Sequence, residues 1–255
     1  MYKKIYLVGD IGNTLTKVCL LNSDFKIFKS FILETNKIHK KNYLNKFFKR
    51  KILLTLNIKI LFSSVVPSVF IILKKFFNKK NFKVYEIKNL KIKNIIKLNV
   101  DNIKQVGSDR IANAIGSYHN YKTNCIVIDF GTATTFDIVK KDGIYDGGVI
   151  APGIKLSIQN LHKSTALLPS FILKTNNIIY GKNTLDALNA GFLLGYQGLI
   201  NNIIKKITLS SKKNYKIILT GGYAQLFKKY VYKKTIIDQN ITIKGIIKIY
   251  KDLLV

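Results

Sequence analysis

The sequence is poor in several residue types, and each shortage excludes a class of protein. It contains no tryptophan, three prolines and two cysteines among 255 residues. Both cysteines, Cys19 and Cys125, lie in apolar runs typical of strands, so we expect buried free thiols, with one structural disulfide as the open alternative. The paired Cys/His spacing of a structural zinc site is also absent from the sequence.

Long apolar runs are lacking as well. The best candidate, at 61–73, holds three serines and a proline, and it is shorter than the roughly 18 residues that suggest a transmembrane helix. Asp10 interrupts the apolar run near the start, unlike the core of a secretory signal peptide. We therefore expect a cytoplasmic protein without a membrane segment.

Acidic residues are scarce, with 13 acidic against 43 basic residues and a formal net charge of +30. This excess is consistent with nucleic-acid binding. Only two basic residues are arginines, Arg50 and Arg110, although arginine is favoured for reading bases and gripping phosphates. The lysines are scattered among isoleucine and asparagine, which favours compositional drift and a solvated basic surface.

Glycine is absent between residues 12 and 107, which makes its few early positions informative. The stretches at 5–21 (IYLVGDIGNTLTKVCLL) and 125–139 (CIVIDFGTATTFDIV) share one plan: a strand, an aspartate, a glycine two residues later and a second strand. Each predicts a hairpin whose turn brings the backbone close to a ligand. The two aspartates are Asp10 and Asp129.

A hairpin duplicated at this separation indicates two similar halves. We expect an α/β fold of two actin-like (ribonuclease H-like) halves facing across a nucleotide cleft, at 1–115 and 116–255. The pattern further predicts a strand at 60–67, a helix at 108–121 and a long helix at 184–207. A strand, a glycine pair and a helix are expected at 216–227.

The Asp-x-Gly turns indicate phosphate binding. Their backbone N–H groups and hydroxyls suit phosphate oxygens, and the aspartate suits a hydrated cation. Lys17 follows in the second strand of the first hairpin and is placed to reach a phosphate. One such turn is explained equally well by turn geometry, but two in register and a third glycine-rich turn at 220–222 favour a nucleotide site.

The segment GSDR at 107–110 places a carboxylate and an arginine at a predicted helix start. A helix cap and a surface ion pair are the plain explanation for Asp109 and Arg110. An aspartate is also the base that a kinase needs at an acceptor hydroxyl, and a neighbouring arginine can hold the transferring phosphoryl group.

In chain order, the stretches DIGNTLTK, SSVVP, GSDR, DFGTATTFD, GGVIAPGI, STALLP, GKNT, AGFLLGYQG and TGG resemble the type III pantothenate kinase family. That family belongs to the superfamily of acetate and sugar kinases, Hsp70 and actin. The resemblance implies a homodimer that phosphorylates pantothenate to 4′-phosphopantothenate, the first committed step to coenzyme A. It implies ATP with Mg²⁺, and K⁺ or NH₄⁺, as cofactors. A non-catalytic, basic nucleic-acid-binding regulator of the same fold is the alternative.

The resemblance also assigns residues. ATP would be bound by Asp10, Ile11, Gly12, Asn13, Thr14, Leu15, Thr16, Lys17 and Thr132. Pantothenate would be bound by Gly107, Ser108, Asp109, Arg110 and Thr184, with Asp109 as the general base. Asp129 would hold potassium, and Asp10 would lie near the metal-bound nucleotide.

Two positions depart from the family pattern. Val100 stands where the family usually has a tyrosine that contacts pantothenate, and Ile111 replaces an aromatic residue that often follows the Asp-Arg pair. Neither position supplies a group that phosphoryl transfer requires. We therefore expect weaker pantothenate binding with the chemistry retained.

Overall fold

A computed structural model describes residues 5–48, 56–175 and 177–255. The strands are β1 (Ile5–Ile11), β2 (Leu15–Leu21), β3 (Ile27–Glu34), β4 (Leu56–Ser64), β5 (Lys83–Glu86), β6 (Lys97–Leu98), β7 (Cys125–Phe130), β8 (Ala133–Lys140), β9 (Ile144–Pro152), β10 (Lys216–Gly221) and β11 (Thr235–Ile237). The α-helices are α1 (Tyr43–Phe47), α2 (Pro67–Asn78), α3 (Ser108–Tyr121), α4 (Ile154–Lys163), α5 (Thr184–Ser211), α6 (Ala224–Phe227) and α7 (Ile241–Leu254).

These elements form two compact units. The first contains the chain up to Lys122, residues 143–145 and residues 240–255; the second contains residues 123–142 and 146–239. Helix α3 runs through the predicted boundary between residues 115 and 116. The two halves predicted at 1–115 and 116–255 stay a prediction.

The first unit is built on a mixed sheet with the strand order β3-β2-β1-β4-β5. Strand β1 is antiparallel to β2 and parallel to β4. Consecutive residues of β1, Leu7 and Val8, are both fully buried, so the sheet is covered on both faces. Helix α2 starts at Pro67, whose fixed φ suits the first helical turn, and it buries a stripe of apolar side chains: Val69, Leu73 and Phe77.

Helix α7 packs against α3 backbone to backbone. A β-carbon added at Gly116 would overlap the carbonyl oxygen of Ile241, and one added at Gly245 would overlap that of Ala112. Only glycine permits this approach of two helices. Helix α7 therefore fixes the position of α3, the helix that begins in the GSDR segment.

The second unit repeats the sheet order of the first. Five strands of its sheet lie in the order β11-β10-β7-β8-β9, with β7 antiparallel to β8 and parallel to β10, and the short strand β6 follows β9 at the edge. The hairpin β7-β8 therefore corresponds to β1-β2, and β10 corresponds to β4. The predicted pair of hairpins is confirmed, and so is the α/β fold class with two mixed sheets.

Several predicted elements are confirmed with shifted ends. The strand expected at 60–67 starts at Leu56 and ends at Ser64, and the long helix expected to end at residue 207 continues to Ser211. Cys19 and Cys125 are buried free thiols, as expected. Across the described ranges, none of the helices combines the length and the apolar character that crossing a bilayer requires.

Candidate active site

Asp10 lies near the end of β1, between Lys17 of β2 and Ser63 of β4 in the sheet register. Its Oδ1 is buried and has no hydrogen-bond partner among the described residues. Burial, together with the charge on Asp109, raises the pKa of Asp10 to about 7, while the nearby hydroxyl of Ser63 and the charge of Lys17 oppose the rise. A buried carboxylate oxygen without a hydrogen-bond partner is a suitable ligand for a hydrated divalent cation. Mg²⁺ is commonly held by one or two carboxylates and by substrate phosphates.

The turn after Asp10 offers polar groups to solvent. The backbone N–H of Gly12 donates to the carbonyl of Leu15 at 3.0 Å and closes the turn. The predicted ATP contacts Asn13, Thr14 and Leu15 are all exposed here. Turns of this kind present backbone N–H groups and hydroxyls to phosphate oxygens.

Two other predicted ATP contacts support this turn from inside. The side chain of Ile11 is fully buried. Thr16 is fully buried too, and its Oγ1 lies 3.0 Å from Oγ1 of Thr35, which in turn donates to the carbonyl of Gly12 at 2.8 Å. The structure therefore places the side chains of Ile11 and Thr16 in the core rather than at the surface of the turn.

Lys17 is fixed by the segment that precedes α7. Its Nζ donates to Oδ1 of Asn240 at 2.7 Å. The two residues are far apart in sequence, and local pattern gave no signal for Asn240. The contact orients the one lysine that pairs with Asp10 in the hairpin.

Asp109 is the second residue of α3, and its carboxylate folds back onto the helix start. Its Oδ1 accepts a hydrogen bond from the backbone N–H of Arg110 at 2.8 Å. A β-carbon at Gly107 would collide with that same oxygen. Burial raises the pKa of Asp109 above its usual range, and the N–H and charge of Arg110 oppose this.

The hydroxyl of Ser108 is fully buried and donates to Oε1 of Glu86, at the end of β5. Glu86 was not among the predicted site residues. The sequence draws attention to it only through composition, because glutamate is rare in this chain and Glu34 is the other example.

Arg110 lies over the ring of Tyr145, with the guanidinium carbon 5.8 Å from the ring centroid. Tyr145 is buried and was also not predicted. The segment that contains Val100 pairs with the start of β9, since the N–H of Asn99 donates to the carbonyl of Tyr145 at 2.9 Å. Val100 itself is half-buried, and Ile111 belongs to the core.

Asp129 occupies in the second unit the place that Asp10 has in the first. It lies near the end of β7, paired with Thr135 of β8 and Thr220 of β10. Gly221 has φ +82°, and a β-carbon there would lie 2.6 Å from Oδ1 of Asp129. Glycine is required here, because only a residue without a side chain fits this close approach at a positive φ.

Thr132 and Thr184 are both exposed. The carbonyl of Thr132 faces Gly153 so closely that a β-carbon would overlap it, which fixes the turn between β7 and β8. Thr184 is the first residue of α5, where Oδ1 of Asn183 caps the helix by accepting from the N–H of Asp186 at 2.9 Å.

An open apolar groove of about 580 Å³ runs between α4 and α5. Its lining combines small and large apolar side chains with Thr184: Leu161, Ala187, Leu188, Gly191, Phe192 and Leu199 contribute to it. The side chain of Leu167, in the segment that follows α4, is 91% exposed.

The carboxylates Asp10 and Asp129 are single potential cation ligands. Within the described ranges there is no group of three or more His, Cys, Asp or Glu side chains that could enclose a metal ion. A metal held here would therefore need oxygen atoms from a bound nucleotide, from backbone or from water.

Comparison with known proteins connects these features to one family. A family model described as type III pantothenate kinase matches residues 6–206. The type III pantothenate kinase of Pelagibacter ubique (strain HTCC1062) is 48% identical over 249 residues, which cover 95% of this chain and 97% of that protein.

Solved structures agree on the fold. A Campylobacter jejuni protein, provisionally assigned as a conserved Baf family transcriptional activator, superposes with a TM-score of 0.61 and 25% identity over 96% of this chain and 98% of its own. A Sinorhizobium meliloti protein, provisionally assigned as a 2-dehydro-3-deoxygalactonokinase, gives a TM-score of 0.60 over 96% of this chain and 98% of its own. Its identity is 8%, so this second likeness concerns the fold alone.

Proposed function

Since the chain belongs to the type III pantothenate kinase family and is an ATP-dependent kinase that phosphorylates pantothenate for coenzyme A synthesis, we propose that Asp109 is its general base. The observation that carries this role is the half-buried carboxylate at the start of α3, held by the N–H of Arg110 and given room by Gly107. In this role, Asp109 accepts the proton of the primary hydroxyl of pantothenate. The hydroxyl oxygen then attacks the γ-phosphorus of ATP, which yields 4′-phosphopantothenate and ADP.

The raised pKa of Asp109 suits this task. A carboxylate with an elevated pKa is a stronger proton acceptor than an ordinary one while it remains ionised at neutral pH. The charge of Arg110 beside it favours the negative phosphoryl group during transfer. The guanidinium of Arg110 lies over the ring of Tyr145, which helps to fix its position beside the base.

For the nucleotide, we propose the turn from Asp10 to Lys17 as a phosphate-binding loop. Asn13, Thr14 and Leu15 contribute backbone groups at the exposed part of the turn, while Ile11 and Thr16 support it from the core. Mg²⁺ would bind next to Oδ1 of Asp10, the buried oxygen without a partner, and would neutralise charge on the phosphates. In the second unit, Thr132 is the proposed ATP contact.

Asp129 is the proposed potassium ligand. Gly221 brings the backbone close to this carboxylate, and a monovalent cation bound there would take further oxygen ligands from backbone carbonyls or water. NH₄⁺ is expected to substitute for K⁺, because the two ions are similar in size and charge.

For pantothenate, the proposed contacts are the segment Gly107 to Arg110 and Thr184. The replacement of a tyrosine by Val100 removes an aromatic contact, and we expect a raised KM for pantothenate with kcat retained. A KM typical of the family would contradict the loss of that contact.

We further propose a homodimer that uses the apolar groove between α4 and α5. Its lining and the exposed Leu167 form the kind of apolar surface that a subunit interface covers. The buried free thiols of Cys19 and Cys125 fit a cytoplasmic enzyme. The nucleic-acid-binding alternative is not favoured, because the basic excess consists almost entirely of lysine.

The first test is ATP consumption by the purified chain with Mg²⁺, with and without pantothenate, in KCl and in NaCl. Pantothenate-dependent turnover that falls in NaCl is the expected result. Equal turnover in both salts would remove the potassium role from Asp129, and folded protein inactive in both would refute the kinase function. Nucleic-acid binding would instead weaken steeply as salt rises.

The second test is Asp109→Asn, which we expect to abolish turnover while ATP binding persists. Asp101→Asn is the matched control, since Asp101 is an exposed aspartate of the preceding loop. Substantial turnover by Asp109→Asn would refute the assignment of the base.

A further inference from the structure

Glu86 is a buried carboxylate to which the assigned chemistry gives no role. It is 8% exposed, and it ends β5, which pairs with β4 in the sheet of the first unit. Burial raises the pKa of its carboxyl group, and the Ser108 hydroxyl opposes the rise. A carboxylate placed inside a protein is costly unless hydrogen bonds compensate it, so its partners are informative.

The two carboxylate oxygens have different partners. Oε2 accepts from the backbone N–H of Lys88 at 2.7 Å, which fixes the carboxylate on its own turn. Oε1 accepts from the hydroxyl of Ser108, the first residue of α3. Glu86 therefore ties the helix start to the edge of the sheet.

The start of α3 is not held by an N-cap side chain. Its N-cap residue is Gly107, which has no side chain to cap the helix. The same turn does reach the segment before it, because Nζ of Lys88 donates to the carbonyl of Lys104 at 3.2 Å. Residues 86–88 thus contact the chain on both sides of Gly107.

From these contacts we infer that Glu86 is a positioning residue, which sets the place of the Asp109 carboxylate through the hydroxyl of Ser108. The inference rests on the proposed role of Asp109 as the base. A base must lie within hydrogen-bond reach of the hydroxyl it deprotonates, and a displacement of about 1 Å can cost about a hundredfold in rate. Without the link to β5, the first turn of α3 can shift by such an amount while α7 still holds the helix at Ala112 and Gly116.

The test is Glu86→Gln, with Glu34→Gln as the matched control. Glutamine keeps the size of Glu86, but it has no charge and one acceptor oxygen instead of two. With that oxygen bound to the N–H of Lys88, the charge-assisted bond from the Ser108 hydroxyl is replaced by a weaker neutral bond in which the hydroxyl accepts. Glu34 is the one other glutamate, is exposed, and pairs with Lys37 at 2.5 Å. We expect Glu86→Gln to lower kcat roughly tenfold to a hundredfold, with the KM for ATP unchanged, whereas Glu34→Gln keeps wild-type kcat.

If Glu86 served folding alone, its variant would contain less native enzyme, but each native molecule would turn over at the wild-type rate. Turnover is therefore normalised to the number of ATP-binding sites. Ser108→Ala should reproduce the loss of kcat, and the double variant should lose no more than either single variant. Additive losses would show that Glu86 does not act through Ser108. Should Glu86→Gln not fold, a wild-type kcat for Ser108→Ala would overturn the inference by itself.

The outcomes separate this inference from the proposed function. If Asp109→Asn is inactive and folded Glu86→Gln has wild-type kcat, the positioning role alone is wrong. If Asp109→Asn remains active, the assignment of the base fails, and the positioning role falls with it.

Discussion

The carboxylates of Asp10 and Asp109 lie close enough in the first unit that the charge of Asp109 raises the pKa of Asp10. Burial makes the larger contribution, and together they bring the pKa of Asp10 to about 7. Between its ordinary value of 3.8 and this value, the folded protein retains a proton that the unfolded chain has lost. The free energy of unfolding therefore falls as pH rises through this window.

Asp10→Asn should remove this penalty. The variant is expected to gain stability relative to the wild type as pH rises from 5 to 8, by about 2–3 kcal/mol over that range. Urea unfolding of both proteins without nucleotide, at each pH, measures the difference. Asp24→Asn, at an exposed turn aspartate, is the control, and a gain independent of pH for Asp10→Asn would contradict the prediction.

The contact of α3 with α7 predicts a strong response to very small substitutions. Gly116→Ala and Gly245→Ala each place a methyl group against a carbonyl of the facing helix, so the helices must separate. We expect each to lower the free energy of unfolding by about 2–3 kcal/mol.

Gly198→Ala is the matched control for these changes, because Gly198 is also helical and has open space at its β-position. There alanine should stabilise by up to about 1 kcal/mol through its higher helix propensity. Urea unfolding of the three variants and the wild type measures these changes in stability. Equal effects at all three positions would contradict the packing argument.

Gly107→Ala tests the geometry of Asp109 directly. The backbone at Gly107 has φ −61° and ψ 143°, which alanine adopts without strain, so stability should change little. The new methyl group would displace Oδ1 of Asp109, and we expect kcat to fall at least about tenfold. Steady-state kinetics in parallel with thermal unfolding separates the two effects, and an unchanged kcat would mean that the carboxylate is free to move.

Leu188→Glu tests the proposed use of the groove between α4 and α5. A carboxylate in this apolar lining should prevent a second subunit from docking, and sedimentation equilibrium should show a monomer where the wild type is dimeric. Leu209→Glu is the control, because Leu209 is 62% exposed on the same helix and lies outside the groove lining. A dimer for both variants would place the interface elsewhere.

The sequence was sufficient for the features that local pattern encodes. The hairpins around Asp10 and Asp129 were predictable because strand, carboxylate and glycine follow one another within a few residues. The start of α3 at GSDR was predictable for the same reason. The residues that these segments contact were not predictable. Glu86, which accepts from Ser108, lies at the end of β5, and Asn240, which accepts from Lys17, lies near the other end of the chain.

The helical glycines illustrate the same limit. In isolation, Gly116 and Gly245 only weaken the prediction of a helix, since glycine has low helix propensity. What requires them is the closeness of two backbones, and no local pattern reports that. Thr16 is a related case, because the resemblance assigned it to the ATP-binding residues while the pleat of β2 turns its side chain into the core.

The discontinuous composition of the first unit has a consequence for biosynthesis. Its core includes Ile249 and Tyr250, both fully buried, and the ribosome makes these residues only after the whole second unit. The sheet that carries Asp10 therefore keeps part of its apolar surface uncovered until the last helix has been made. For a chain of this kind, the interval before α7 docks is when chaperones would be needed most.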